Sequence, residues 1–147
     1  MGKVSAIMLA VLAGGLIPLQ GAVNSKLGNL LSHPLQAAFI SFFTGTMVLA
    51  VLMQVLNVGY PSFTQLKQIN MFMYFGGILG VTFITANIIF IPKIGVVLML
   101  LAALFGQLIV SIVFDHNGYF DVPQKSIDVN RIMGLFCVIF GLYFMQK

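Results

Sequence analysis

An all-α integral membrane protein is the fold class this sequence predicts, on two observations. Of its 147 residues, 60% are hydrophobic and 7% are charged, whereas about a quarter of a soluble chain is charged. The seven Lys+Arg and three Asp, with no Glu, also fall at the edges of long uncharged windows. Each window approaches the roughly 20 apolar residues that a bilayer core demands of a helix. A soluble protein of this size could not cover its surface with so few charges, so a soluble enzyme is excluded. Alternation with period two is missing, which excludes a transmembrane barrel.

The windows predict five transmembrane helices in one membrane domain spanning residues 1–147. Val4 to Ser25 runs 22 residues without a charge and predicts a helix over 4–25. Leu27 to Leu66 has loop-like ends and one good span, 35–56, with Pro34 in its first turn. Gln68 to Pro92 gives 70–91 and Ile94 to Phe114 gives 94–114, with Ile91-Pro92-Lys93-Ile94-Gly95 read as a tight turn between them. Ile132 to Gln146 is short, at 15 residues. Asn130 extends it to 130–146, and Arg131 and Lys147 snorkel outward from its ends. A signal peptide is the alternative for the first segment, because Lys3 precedes an apolar run. Gln20 at the candidate cleavage site and Pro18 within the run argue against it. In the loops, Ser62 followed by Gln65 predicts a capped, brief interfacial helix. The Asp115–Asn130 connection holds all three acids and an Asn117-Gly118 turn signal.

The net charge of +4 is not a nucleic-acid footprint, because the basic residues are scattered singly. Five spans would put Lys3, Lys67, Lys125 and Arg131 on one side and Lys26, Lys93 and Lys147 on the other. Excess Lys/Arg marks the cytoplasmic side, and four against three is barely an excess. The chain therefore either has a weak bias toward one orientation or inserts both ways, which would let two copies assemble antiparallel. Cys137, the single cysteine, cannot form an intrachain disulfide.

No catalytic constellation, metal site or cofactor is expected. His33 and His116 lie at helix ends without a second ligand at metal spacing, and there is no phosphate loop or Ser-His-Asp arrangement. The informative residues are uncharged polar groups within the spans. Gln20 and Asn24 share a face of the first helix, just after Pro18, which frees the carbonyl of Gly14 and bends the helix. Gly76, Gly80, Phe83 and Asn87 form a stripe on the third helix. Gln107, Ser111 and Asp115 step by four along the fourth. An amide in hydrocarbon costs a few kcal/mol without a partner, so these faces point inward, either as interhelical glue or around a shared cavity. Small residues at spacings of four and seven, Ala37-Ser41-Gly45, Gly76-Gly80 and Gly134-Gly141, predict close helix packing. Asp115 is the one acid near the membrane. It is either a candidate proton site or an ordinary solvated helix-end acid.

The run Ile17-Pro18-Leu19-Gln20-Gly21-Ala22-Val23-Asn24-Ser25-Lys26-Leu27-Gly28 resembles the first-helix signature of the YdcZ-like family, a five-helix branch of the drug/metabolite transporter superfamily. The likeness continues through Gln36 to Phe42 and Gly45, Gly76-Gly77 with Gly80, and Pro92-Lys93-Ile94-Gly95. Gly106-Gln107-Leu108, Asp115-His116-Asn117-Gly118, and Arg131 with Gly134 and Gly141 complete it. The resemblance implies half of an inverted-repeat transporter fold, in a multi-pass protein of the bacterial inner membrane. Such a half pairs with an inverted copy of itself or with an inverted relative. Inverted repeats hold substrate near the bilayer midplane, and by that analogy Gln20, Asn24, Asn87 and Gln107 would line the cavity. Pro18, Gly76 and Gly80 would be the compliant points of alternating access. The implied function is a secondary transporter subunit, an exporter of a small metabolite, with membrane lipid as its other partner. The chain also resembles small multidrug exporters in size but lacks their first-helix glutamate, so a neutral, zwitterionic or weakly amphipathic substrate is expected. The rival is a non-transporting structural or assembly partner. A channel is less favoured, for want of charge rings or a filter-like loop.

Overall fold

The computed structural model describes residues 2–146, and all regular structure among them is helical. The α-helices are α1 (Lys3–Gly14), α2 (Leu16–Leu30), α3 (Pro34–Val55), α4 (Phe63–Gln68), α5 (Phe75–Ile94), α6 (Val96–Asn117) and α7 (Val129–Met145). Short 3-10 turns cover Met71–Tyr74 and Tyr119–Asp121. Four stretches are long and apolar enough to cross a membrane: Lys3–Leu30, Pro34–Val55, Met71–Ile94 and Val96–Asn117. The fifth apolar helix, α7, has 17 residues. Lys147, counted above among the boundary charges, lies outside the described residues. The chain divides between Lys93 and Ile94 into two compact units.

In the first unit, the junction of α1 and α2 falls at Gly15, three residues before Pro18. Proline acts one turn upstream: it offers no N–H to the Gly14 carbonyl, and its ring crowds that carbonyl. Gly15 keeps right-handed angles (φ −64°, ψ −18°), and its N–H still reaches the Val11 carbonyl at 3.0 Å. The helix is therefore divided without being unwound. It runs on to Leu30 rather than stopping at Ser25, because a charge such as Lys26 marks a membrane boundary and does not break a helix. The stop is Ser32-His33-Pro34. His33 Nδ1 accepts the Leu35 N–H at 3.2 Å, and Pro34 occupies the first helical position of α3, where its missing N–H is harmless.

The Ser62–Gln65 capping box is present in full. Ser62 Oγ accepts from the Gln65 N–H at 3.3 Å, and Gln65 Oε1 accepts from the Ser62 N–H at 2.8 Å. The tight turn expected over Ile91–Gly95 is corrected to a single residue. α5 continues through Pro92 to Ile94, and α6 starts at Val96. Pro92 sits in the last turn of α5 and deprives only the Ile88 carbonyl of its donor. Gly95 then takes φ +82°, ψ 163°, a region open only to glycine.

The core of the first unit forms where α2, α3 and α5 meet. Ala37, Ala38 and Ile88 are its buried centre, with Leu27, Leu31 and Ile84 packed around them. α2 brings glycines to this seam: a Cβ on Gly21 would lie 2.9 Å from Ile91 Cδ1, and one on Gly28 would overlap Ile88 Cγ2. Gly80 of α5 accommodates the Phe42 ring, whose edge would lie 3.3 Å from an added Cβ. In lipid such close approach supplies the packing that hydrophobic collapse supplies in water. The predicted small-residue stripes fare unevenly. Ala37 is buried, whereas Gly45, Gly76, Gly134 and Gly141 have open space where a Cβ would stand.

In the second unit α6 packs along α7. α6 runs three residues past the expected Phe114 and ends at Gly118, which adopts the left-handed cap (φ +67°). The following loop is tied back to α6. Lys125 N–H donates to the Asp115 carbonyl at 2.7 Å, and Gln124 Nε2 donates to the His116 carbonyl at 2.8 Å. Asp128 caps α7 through the Arg131 N–H at 2.8 Å.

The seam predicts a graded series of glycine-to-alanine effects. Gly28→Ala meets a β-branched, buried side chain and should destabilise by about 1–3 kcal/mol. Gly21→Ala meets only a terminal methyl and should cost less. Gly45→Ala should be neutral or slightly stabilising. Thermal unfolding of the three variants in detergent checks the order.

Candidate functional site

The polar positions of the first unit gather around the α2–α3–α5 seam. Asn24, Ser25 and Asn87 are its buried polar residues, each 5–6% exposed. Asn24 faces α3, where its Nδ2 donates to Ser41 Oγ at 3.2 Å. Gln20, one turn earlier on α2, is exposed on a cavity of about 240 Å³ that Ser41, Phe42, Gly45, Thr46, Leu49 and Ile84 also line. Ser41 thus belongs both to the Asn24 bond and to the wall facing Gln20. The small-residue stripe on α3 is what opens this wall, since Ser41 and Gly45 leave room that larger side chains would fill.

Asn87 stands differently. Its Nδ2 donates to the Phe83 carbonyl at 3.0 Å, one turn back on α5. Its Oδ1 is buried without a hydrogen-bond partner, and so is Thr85 Oγ1. A buried amide oxygen left unpaired costs about 1–3 kcal/mol. Elsewhere three polar side chains of the apolar helices are satisfied on their own backbone: Thr46 on the Phe42 carbonyl, Thr82 on that of Ile78, Asn117 on that of Val113. Asn87 satisfies only its donor in that way, and its Oδ1 stays unpaired.

Gln107 belongs to the second unit, exposed on α6. The ordered feature of that unit is an ion pair: Arg131 Nη2 donates to Asp115 Oδ2 at 2.9 Å. The two residues are 16 apart in sequence, one at the end of α6 and the other in the first turn of α7. Beside them a groove of about 340 Å³ runs between the helices, lined by Leu108, Ser111, Ile112, Asp115, Arg131, Gly134 and Leu135. Asp115, read from sequence as a proton site or a solvated acid, is an ion-paired acid that is half-buried. Among the described residues no group of His, Cys, Asp and Glu could hold a metal ion.

The roles of three residues escaped the sequence reading. Ser41 appeared there as a packing residue and Arg131 as a boundary charge, both also within the family resemblance, and Thr85 not at all. For Arg131 the signal was legible: the loop between two antiparallel helices would return it to the level of Asp115. Ser41 and Thr85 carry no such signal, because their significance depends on which helix faces them.

The Asn24–Ser41 bond predicts a measurable coupling. In a double-mutant cycle with Asn24→Ala and Ser41→Ala, unfolding in mixed micelles should give a coupling near 0.6 kcal/mol, the average for interhelical bonds in membranes. A coupling indistinguishable from zero would mean that the two side chains do not stabilise one another.

Comparison with known proteins adds one finding. The family model described as "Putative inner membrane exporter, YdcZ" matches residues 5–144. No curated protein and no solved structure matches the chain. With a match over nearly its whole length and several apolar helices of membrane-spanning character, the chain belongs to the YdcZ family and is a multi-pass protein of the inner membrane.

Proposed function

We propose that this chain is one half of an inverted-repeat secondary transporter that exports a small metabolite, and not an enzyme. In this reading all five apolar helices cross the membrane. At ~1.5 Å per residue, the 17 residues of α7 span about 25 Å, and local bilayer thinning with snorkelling of Arg131 covers the shortfall. Five spans leave the Lys/Arg bias near neutral, which favours insertion in both orientations and an antiparallel pair, formed with a second copy or an inverted relative. Alternating access then rocks one half against the other, with the divided helix at Gly15–Pro18 and the glycines Gly76 and Gly80 as its compliant points. Gln20, Asn24, Asn87 and Gln107 would face the substrate, with Asp115 as the candidate site for any coupled proton.

One observation carries the reading beyond the family's description: the Asn87 Oδ1 is buried in an apolar helix with no hydrogen-bond partner. A residue serving only as glue would spend both ends of its amide on neighbouring helices. An acceptor held open suits a substrate that brings an N–H or O–H. The absence of any acid from the middle of these helices disfavours a permanent cation, because a buried positive charge needs a counter-charge. Asn24 supports the rival reading, a dry structural partner, since its amide donates to Ser41 as interhelical glue would.

Cysteine accessibility separates the two. On a Cys137→Ser background, Asn24→Cys and Asn87→Cys should react with a polar thiol reagent from at least one side of the membrane. Inertness at both positions would count against a water-accessible cavity and favour the structural partner. Orientation is read with one cysteine in the 118–127 loop, labelled on whole cells by an impermeant reagent before and after permeabilisation. About half the molecules should label from outside; a single orientation would rule out the self-paired dimer and leave an inverted relative as the partner.

A further inference from the structure

We infer that the groove between α6 and α7 is a binding site for a zwitterionic phospholipid whose headgroup joins a phosphodiester to a primary ammonium. The inference does not rest on the transport reading. Its basis is the arrangement of charge and apolar surface along one groove. Asp115 and Arg131 stand together at one end of the helix pair, 34% and 23% exposed. From there the lining steps along α6 through Ile112 and Ser111 to Leu108, and along α7 through Gly134 to Leu135. Seven residues of helix separate Asp115 from Leu108, about 10 Å of groove. One end is charged and the rest is apolar apart from the Ser111 hydroxyl, which is the shape of an amphiphile.

Charge complementarity selects among amphiphiles. The site is neutral overall but dipolar, because only one guanidinium nitrogen and one carboxylate oxygen are engaged in the ion pair. A ligand that is itself a neutral dipole can set its phosphate against Arg131 and its ammonium against Asp115 Oδ1, leaving no charge uncompensated. An anionic lipid would satisfy Arg131 and face Asp115 with like charge. Arg–phosphate and ammonium–carboxylate contacts are both charge-assisted hydrogen bonds. The acyl chain takes the apolar run. Gly134 provides the room for it: a Cβ there would meet no atom within 4 Å, so this glycine opens the groove and does not close a helix contact.

The test uses the full chain purified in detergent and titrated with dioleoyl phosphatidylethanolamine, phosphatidylcholine and phosphatidylglycerol, with bound lipid read by native mass spectrometry. Phosphatidylethanolamine should bind about tenfold more tightly than phosphatidylglycerol, the value of one charged hydrogen bond. Phosphatidylcholine, whose quaternary ammonium donates no hydrogen bond, should fall between them. Asp115→Asn should erase the preference. Gly134→Leu, which grows into open space, should abolish retention of all three lipids while leaving the thermal midpoint unchanged, so that loss of binding is not loss of fold. Equal binding of phosphatidylethanolamine and phosphatidylglycerol by the unaltered chain would overturn the proposal. So would undiminished retention by Gly134→Leu. Displacement of the lipid by glycerophosphoethanolamine would reassign the site to a soluble zwitterion. A shift from dimer to monomer in Gly134→Leu, with lipid retention intact, would reassign the groove to a second copy.

Discussion

Polar groups in a chain this apolar have no water to fall back on within the bilayer, and most of the ordered features of this protein follow from that constraint. Backbone donors and acceptors are satisfied by making every spanning segment a helix. Side chains are satisfied locally where they can be, as Thr46, Thr82 and Asn117 are on carbonyls one turn back. Where local satisfaction is incomplete, the residue either reaches a neighbouring helix, as Asn24 reaches Ser41, or keeps an open acceptor, as Asn87 does. Each departure from full satisfaction is costly, about 1–3 kcal/mol for a buried group.

The same solvent removes the usual reason for helices to associate. Lipid tails are as apolar as leucine, so packing depends on how closely backbones can approach. The α2–α3–α5 seam achieves this with Gly21, Gly28 and Ala37 set against Ile88 and Ile91. Glycine has a second use here. At Gly45 and Gly134 the missing side chain leaves space rather than contact, and both positions line cavities. Small residues on these helices therefore divide into those that bring helices together and those that keep a volume open.

Charge is confined to the ends, and there it organises structure. The Asp115–Arg131 pair spans the junction of α6 with α7, and the intervening loop is hydrogen-bonded back to the Asp115 and His116 carbonyls. An exposed salt bridge contributes little to stability. This one is half-buried beside an apolar groove, to which it presents a charged end. A loop tied at two points to its own helix holds that pair at the end of α6.

Membrane character, helical class and the positions of the apolar segments were legible in the sequence, because charge placement and hydrophobic length act locally and survive without knowledge of the fold. The capping box at Ser62–Gln65 and the Pro34 start were equally legible, for the same reason. Helix ends at Leu30 and Asn117 were not, since a charge marks where the membrane stops and not where hydrogen bonding does. Beyond local range, only tertiary structure could decide. The spacing of Gln20 and Asn24 placed them on one face, but whether that face met Ser41 or lipid depended on helix rotation, which periodicity does not set. The glycines of α2 gave no hint that Ile88 and Ile91 would fill the space above them. Asn87 looked like any buried amide until its Oδ1 was found without a donor. Pairing is a property of two elements at once, and a single stretch of sequence records only one of them.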